Sequence, residues 1–341
     1  MSDGMDLHGR GQRLRILCGA LVLLVLTMVL SLGIGFRAVP WSEAMAALWA
    51  PDPGNDLHLI VRVLRVPRTL LAVMAGAALG IAGAMMQAVT RNPLAEPGIL
   101  GINAGAAVAV VLAIMVLGLT SMAQYVWFGF LGAGLAGVAV FTLGRAHETG
   151  TDPVRLVLAG AGIAVVLGAM TGIVILNAPL QEFDTFRNWS AGSVSDREAE
   201  IAVILAMVLL PAGLLALSLA GSLNILSLGQ EMGQALGVRP GRVWGLTCIA
   251  VMLLAGGATA GAGPIGFVGL VAPHAARMVC GPDYRWILPV SGVFAAILLL
   301  LADILGRIVI APDEVAAGIV AAILGGPFFI LLVRRFRLAR I

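Results

Sequence analysis

Apolar residues run through this chain in long blocks, and the polar residues between them come in short clusters. No Asp, Glu, Lys or Arg occurs from Pro97 to Gly144, from Ile201 to Gln230 or from Val243 to Ala276. A bilayer span needs about 20 predominantly apolar residues, so each gap holds one or two spans. The apolar runs and their Gly, Pro and charged breaks predict ten membrane helices, near 16–36, 69–89, 99–118, 125–143, 154–176, 201–220, 243–261, 264–279, 287–305 and 316–333. The fold class is therefore an all-α integral membrane protein of about ten transmembrane helices. It forms one domain, with a cytoplasmic tail over 1–15, a bundle over 16–333 and a second cytoplasmic tail over 334–341. The eighth span is short and begins in the Gly/Pro-interrupted stretch Gly261–Gly269. Irregular backbone at that depth is tolerated only where protein buries it or it lines a cavity, which marks a candidate pathway wall. Glycines recur four apart at Gly76/Gly80, Gly101/Gly105, Gly168/Gly172 and Gly257/Gly261, a spacing that lets two helix backbones approach closely.

Composition sharpens this picture. Of the 341 residues, 60% are apolar and 11% charged, against roughly 25% charged in soluble domains. The net charge of +3 comes from arginine alone, since the chain has no lysine, and here it bears on topology before nucleic acid, for which no binding is expected. Arg10, Arg13 and Arg15 before Ile16–Phe36 resemble a secretory leader, but the apolar run is too long and many spans follow. With the N-terminus inside, fourteen arginines fall on the cytoplasmic side and seven outside, an excess that orients both termini inward. Arg62, Arg65 and Arg68 break that bias at the outer start of the second span. Cys18, Cys248 and Cys280 lie in or beside apolar runs, with no disulfide or metal-site spacing.

Four blocks resemble the permeases that import vitamin B12, haem and ferric siderophores. They are Leu64-Arg-Val-Pro-Arg-Thr-Leu-Leu-Ala continuing to Gly80-Ile-Ala-Gly-Ala-Met-Met-Gln87, then Arg91-Asn-Pro-Leu-Ala-Glu-Pro-Gly-Ile-Leu-Gly-Ile-Asn-Ala-Gly-Ala106, then Leu226-Ser-Leu-Gly-Gln-Glu-Met-Gly-Gln-Ala-Leu-Gly-Val238. The fourth runs from Gly263-Pro-Ile-Gly-Phe-Val-Gly-Leu-Val-Ala-Pro-His-Ala-Ala-Arg277 through Asp283-Tyr-Arg to Ala302-Asp-Ile-Leu-Gly-Arg307. Leu-Gly-Ile-Asn-Ala-Gly-Ala and Arg187-Asn-Trp-Ser-Ala-Gly-Ser193 look closest to ferric-siderophore members of the enterobactin type. The resemblance implies a type II importer bundle in the bacterial cytoplasmic (inner) membrane, acting as half of a homo- or heterodimeric pore. Two ATP-binding-cassette ATPase subunits would drive it, and a periplasmic or lipid-anchored substrate-binding protein would deliver a ferric siderophore. No cofactor is expected on this chain; ATP and Mg would sit on the ATPase. One departure stands out: the family's Glu-Leu-Pro-hydrophobic-Gly reads Glu314-Val-Ala-Ala-Gly318 here, so the segment before the last span is expected to be differently shaped.

The same resemblance assigns roles. Arg65, Arg68 and Arg307 would form a positive patch that docks the binding protein. Leu228, Gly229, Gln230, Glu231, Ala235, Leu236, Gly237 and Val238 would couple to the ATPase. Asn92, Pro93 and Pro97 make a fixed turn, and Gly263, Pro264, Pro273 and His274 belong to the interrupted pathway segment. Asp303 and Arg307, four apart, share a helix face and are expected to pair within the helix. Met85, Met86 and Gln87 read as packing, and His274 as structural hydrogen bonding, since no second ligand stands at metal spacing. The glycine-rich interior with no buried charge suits a bulky chelate passing without strong fixation. A Walker ATPase is excluded because its loop needs a lysine. A secondary transporter would want ion sites at mid-membrane breaks, and a membrane enzyme a convergent catalytic set; haem and cobalamin remain the alternative cargoes.

Overall fold

The computed structural model describes residues 9–35, 37–144, 153–195 and 199–335. Its helices are α1 (Arg10–Gly33), α2 (Trp41–Trp49), α3 (Asp56–Leu59), α4 (Val66–Thr90), α5 (Ile102–Met115), α6 (Met122–Leu143), α7 (Pro153–Leu176), α8 (Leu180–Ser190), α9 (Ala199–Ser227), α10 (Gln230–Ala235), α11 (Pro240–Ala262), α12 (Val268–Cys280), α13 (Tyr284–Gly306) and α14 (Ala317–Arg335). A π-helical stretch, Ile60–Arg65, joins α3 to α4, and a 3-10 turn, Pro97–Leu100, precedes α5. There is no strand among the described residues. Each of the ten predicted spans has its helix, in order. Among the described residues seven helices are long and apolar enough to cross a membrane, whereas α5, α12 and the apolar part of α14 are shorter. At 1.5 Å per residue α12 measures about 20 Å, less than the roughly 30 Å hydrocarbon core.

Differences from the predicted boundaries have physical causes. Helix α1 starts at Arg10, within the stretch expected as a tail, because arginine favours helix and can hold its charge beyond the apolar zone. Most of both expected tails, with Arg145, Arg197, Arg337 and Arg340, lies outside the described residues. The short helices α2 and α8 escaped the reading, since nine and eleven residues of mixed polarity carry no bilayer-length signal.

Helix α4 is the axis of the bundle. Its buried surface is rich in small residues, Ala72, Ala75, Gly76, Ala78, Gly80, Ala82, Gly83 and Ala84, with Leu71, Leu79, Met85 and Met86 between and beyond them. A methyl group on Gly76 would come within 2.7 Å of the Ala295 carbonyl oxygen and the Ala296 Cα, and one on Gly80 would strike the Ser291 carbonyl, so α13 lies directly on the α4 backbone. On another side Gly83 abuts the Gly269 carbonyl of α12 in the same way. Glycine spacing also joins α5 to α6 through Gly105 and Gly132, and α11 to α9 through Gly257 and Gly261 against Leu209 and Leu205. A Cβ on Gly168 or Gly172 of α7 would meet nothing within 4 Å, and both lie on the exposed side of that helix. The departure is instructive, because spacing alone cannot tell a helix that packs within the chain from one that does not.

The two Gly/Pro breaks meet. The turn after α4 does not stay at the surface as a simple connection. Ala95, Pro97 and Leu100 are buried, and the Pro97 ring reaches the start of α12, where a Cβ on Gly269 would sit 3.2 Å from its Cδ. Short α5 and short α12 therefore begin beside each other inside the bundle, where neighbouring helices can shield the irregular backbone between them. Gly83→Leu is expected to prevent this contact. Overpacking of a fixed core typically costs about 1–3 kcal/mol, and here both partners are backbone, so thermal unfolding in detergent should show a sharply lowered midpoint or loss of monodisperse protein. Gly168→Ala should leave the midpoint unchanged or slightly raised.

Candidate functional site

Proline at position 67 lacks the N–H that an α-helix needs, and the wider π turn just before it absorbs the mismatch. The consequence is a change of direction for the arginines around it. Arg65 turns towards the end of α1, where its Nη1 donates to the Leu32 carbonyl at 2.6 Å and its Nη2 to the Arg37 carbonyl. Arg68, one turn on, points to α13 instead. Its Nε and Nη2 donate to Asp303 Oδ1 at 2.9 and 2.7 Å, and Nε also to Oδ2 at 3.1 Å. The remaining Nη1 lies 2.7 Å from Glu314 Oε2. Three-residue spacing thus fails to put Arg65 and Arg68 on one face.

Arg307 caps α13 and faces inward. It is bonded to Asp303 within the helix, as expected, and its Nη1 donates to the Ser31 and Ile34 carbonyls at 2.8 and 3.2 Å. Its Nη2 also donates to Ser31 Oγ at 3.1 Å, and that hydroxyl shares a 2.7 Å hydrogen bond with Thr69. The expected interior without buried charge is corrected here: Arg65, Asp303 and Arg307 are all buried. A buried guanidinium is tolerable only when its donors are paired. Asp303 between two arginines and the uncapped carbonyls at the end of α1 supply most of that pairing. The expected open patch is corrected too, because Arg65 is 6% and Arg307 2% exposed.

These groups floor a cavity of about 1480 Å3, whose charged lining is Arg37, Arg62, Arg65, Arg68, Arg307 and Glu314. Arg37 and Arg62 are exposed, and neither has a carboxylate partner among the described residues. Sequence reasoning noted both as outer arginines and missed their place beside Arg68. The wall includes Thr185, Asn188, Ser193 and Ser195 from α8 and the turn after it. Behind the wall, Gly192 (φ +73°), Gly263 (φ +76°) and Gly318 meet backbone to backbone: a Cβ on Gly192 would lie 2.5 Å from the Pro264 carbonyl and 3.3 Å from the Gly318 Cα. The Gly318 amide donates to the Gly192 carbonyl at 2.7 Å. The segment around Glu314–Gly318 is thereby tied to the break before α12.

The rest of the pathway set is structural in its contacts. Asn92 Oδ1 accepts from the Leu94 amide at 2.9 Å, and the chain turns at Pro93. Pro273 is buried inside α12, and the His274 ring lies edge-on to Phe328, 6.0 Å between centroids. Met85 and Met86 are fully buried, and Gln87 accepts from Arg277 at 3.0 Å. No group of three potential metal-ligating side chains occurs among the described residues.

At the other end of α9 and α11 the chain forms α10. Gly229 (φ +125°) starts it and Gly237 (φ +82°) closes it, conformations that favour glycine. Glu231 and Ala235 are exposed and Val238 half-buried, while Leu228, Met232 and Leu236 are 68%, 52% and 57% exposed. An apolar ridge facing outward on a short helix between two spans has the form of a docking element. Nearby, Asn224 joins Asp283 at 2.6 Å and accepts from the Tyr284 amide at 2.7 Å, closing α9 onto α13.

Among the described residues, then, a bundle of apolar helices carries two central breaks, a charged cavity and an exposed interhelical knob. The chain belongs to the FecCD transport family, whose description fits residues 23–335, and is a permease of the metal-chelate ABC importer type. It is 42% identical over 318 residues to the ferric enterobactin transport system permease protein of Escherichia coli (strain K12), covering 93% of this chain and 94% of that one. It is 36% identical over 335 residues to the hemin transport system permease protein of Yersinia pestis, covering 97% and 98%. The solved inward-facing structure of a metal-chelate-type ABC transporter matches with a TM-score of 0.82 at 28% identity, covering 95% of this chain and all of that one.

Asp303 is the keystone of the charged end, bonded to both Arg68 and Arg307. Asp303→Asn leaves two arginines facing a neutral group, and breaking a buried pair costs about 3–5 kcal/mol. Thermal unfolding should show that loss, and only removal of all three charges, Asp303→Leu with Arg68→Met and Arg307→Met, should recover part of it.

Proposed function

We propose that this permease imports a ferric siderophore across the bacterial cytoplasmic membrane, as one half of a dimeric pore driven by two ATPase subunits. ATP and Mg are handled on those subunits, and this chain holds no cofactor of its own. The observation that carries the cargo reading is the 42% identity to the ferric enterobactin permease along almost the full length of both chains. The cavity supports it, since five arginines and one glutamate line about 1480 Å3, a space and field suited to a bulky anionic chelate.

The charged end faces outward and α10 faces the cytoplasm, an orientation supported by the arginine excess on the α10 side. A substrate-binding protein docks over the cavity rim. Arg68 and the exposed Arg37 and Arg62 meet its acidic groups, while Arg65 and Arg307 act from beneath by holding α1, α4 and α13 in register. Residues Leu228–Val238 seat on the ATPase through the exposed ridge.

Uptake into proteoliposomes holding the assembled importer, with its binding protein outside and ATP and Mg enclosed in the lumen, tests the cargo. Ferric catecholate or ferric hydroxamate should accumulate with ATP, and haem and cobalamin should not; accumulation of haem alone would replace the reading with haem import.

Coupling has its own test. A Cβ on Gly237 would meet nothing within 4 Å, so Gly237→Trp acts first by denying the positive φ, at a cost of about 1–2 kcal/mol for a non-glycine residue. The variant should insert and fold while ATP-driven uptake falls steeply. Unchanged uptake per assembled complex would make the segment a plain loop.

A further inference from the structure

Arg68 divides its guanidinium between two carboxylates of different character. The Nε–Nη2 edge is held by Asp303, whose side chain is 2% exposed and also carries Arg307. The outward Nη1 is held by Glu314 alone, and Glu314 is 35% exposed while Arg68 itself is 12% exposed. The Glu314 side chain makes no other hydrogen bond or ion pair among the described residues. An acidic group arriving from outside can therefore reach Arg68 in one place, and that place is occupied.

We infer that Glu314 is a built-in competitor: an Asp or Glu side chain of the docking protein takes its position on Arg68 Nη1 and releases the Glu314 segment. This rests on the docking reading given above. Adding a second carboxylate without release would crowd two like charges around one Nη1. Exchange avoids that, because one carboxylate replaces another and the buried Asp303–Arg307 pair is not disturbed. The displaced Glu314 stays in the cavity it already lines together with Arg37 and Arg62, two exposed arginines that no carboxylate among the described residues holds, so its charge is not stranded.

The exchange also has somewhere to act. Val315, next in sequence, donates its amide to the Gly306 carbonyl at 2.9 Å, and Gly318 donates to Gly192 at 2.7 Å. Gly192 in turn presses on the Pro264 carbonyl. Release at Glu314 loosens a segment that spans from the end of α13 to the break before α12, and docking is thereby felt at the pathway wall.

The test titrates the importer's substrate-binding protein onto the permease–ATPase complex in lipid nanodiscs at low ionic strength. Glu314→Gln should tighten docking by about two- to fivefold, the range of an exposed ion pair, whereas Arg68→Gln should weaken it. If Arg68→Gln and Arg62→Gln both leave affinity unchanged, the docking reading fails and the competitor fails with it. If Arg68→Gln weakens docking but Glu314→Gln does not tighten it, docking stands and the competitor is overturned. Should Glu314→Gln not assemble, Glu314→Asp, one methylene shorter, keeps the charge and should give a smaller tightening; none would count against exchange. A second readout uses Val315→Cys in a background carrying Cys18→Ser, Cys248→Ala and Cys280→Ala. Its labelling by an impermeant maleimide should accelerate when the binding protein is present, and a rate indifferent to the binding protein would overturn release.

Discussion

Helix α4 can stand at the centre of this bundle because alanine and glycine crowd the stretch from Ala72 to Ala84, where its neighbours lie closest. In a bilayer there is little hydrophobic gain from bringing helices together, so association depends on close van der Waals contact between backbones. Gly76, Gly80 and Gly83 allow α13 and α12 to lie against α4 at distances that a single methyl group would forbid. Everything that follows uses this closeness. The Pro97 turn and the Gly263–Phe267 break can sit side by side inside the bundle because α4 leaves room for both. Their irregular backbone is then shielded by protein.

The same closeness brings charge together at one end. With α4 and α13 in backbone contact, Arg68 and Asp303 face each other across 235 residues of sequence separation. Asp303 is then shared between Arg68 and Arg307, and α1 contributes carbonyls and a serine. The cluster is buried at Asp303 and Arg307 and opens to solvent only towards Glu314. The Glu314-Val-Ala-Ala-Gly318 segment is held at both ends, by the glutamate on Arg68 and by the glycine against Gly192, so the rim of the cavity is tied to the break before α12.

Much of this architecture could be read from the chain itself. The ten apolar helices, their order, the weak spot at Gly261–Gly269, the close packing at Gly76/Gly80 and the Asp303–Arg307 pair all follow from local pattern. The short helices α2 and α8 were not legible, because neither reaches the length of a bilayer span. Arg65 and Arg68 were misdirected by assuming an unbroken α-helix, since a π turn ahead of Pro67 has no distinct signature in residue spacing. Gly168/Gly172 matched the packing pattern yet a Cβ there would meet none of the described residues, while Gly83, outside those pairs, makes one of the tightest contacts.

Composition, apolar period and the placement of Gly and Pro were enough to determine that this is a polytopic helical membrane protein, and the ordered motifs were enough to place its family. Those properties are set by residues near one another in the chain, where the bilayer imposes a length and the backbone imposes its hydrogen bonds. Only the tertiary structure decided which arginines are buried and which are free, that Asp303 serves two of them, and that Glu314 closes over Arg68. Burial of a charge depends on partners hundreds of residues away, brought near by helix contacts that no local pattern encodes.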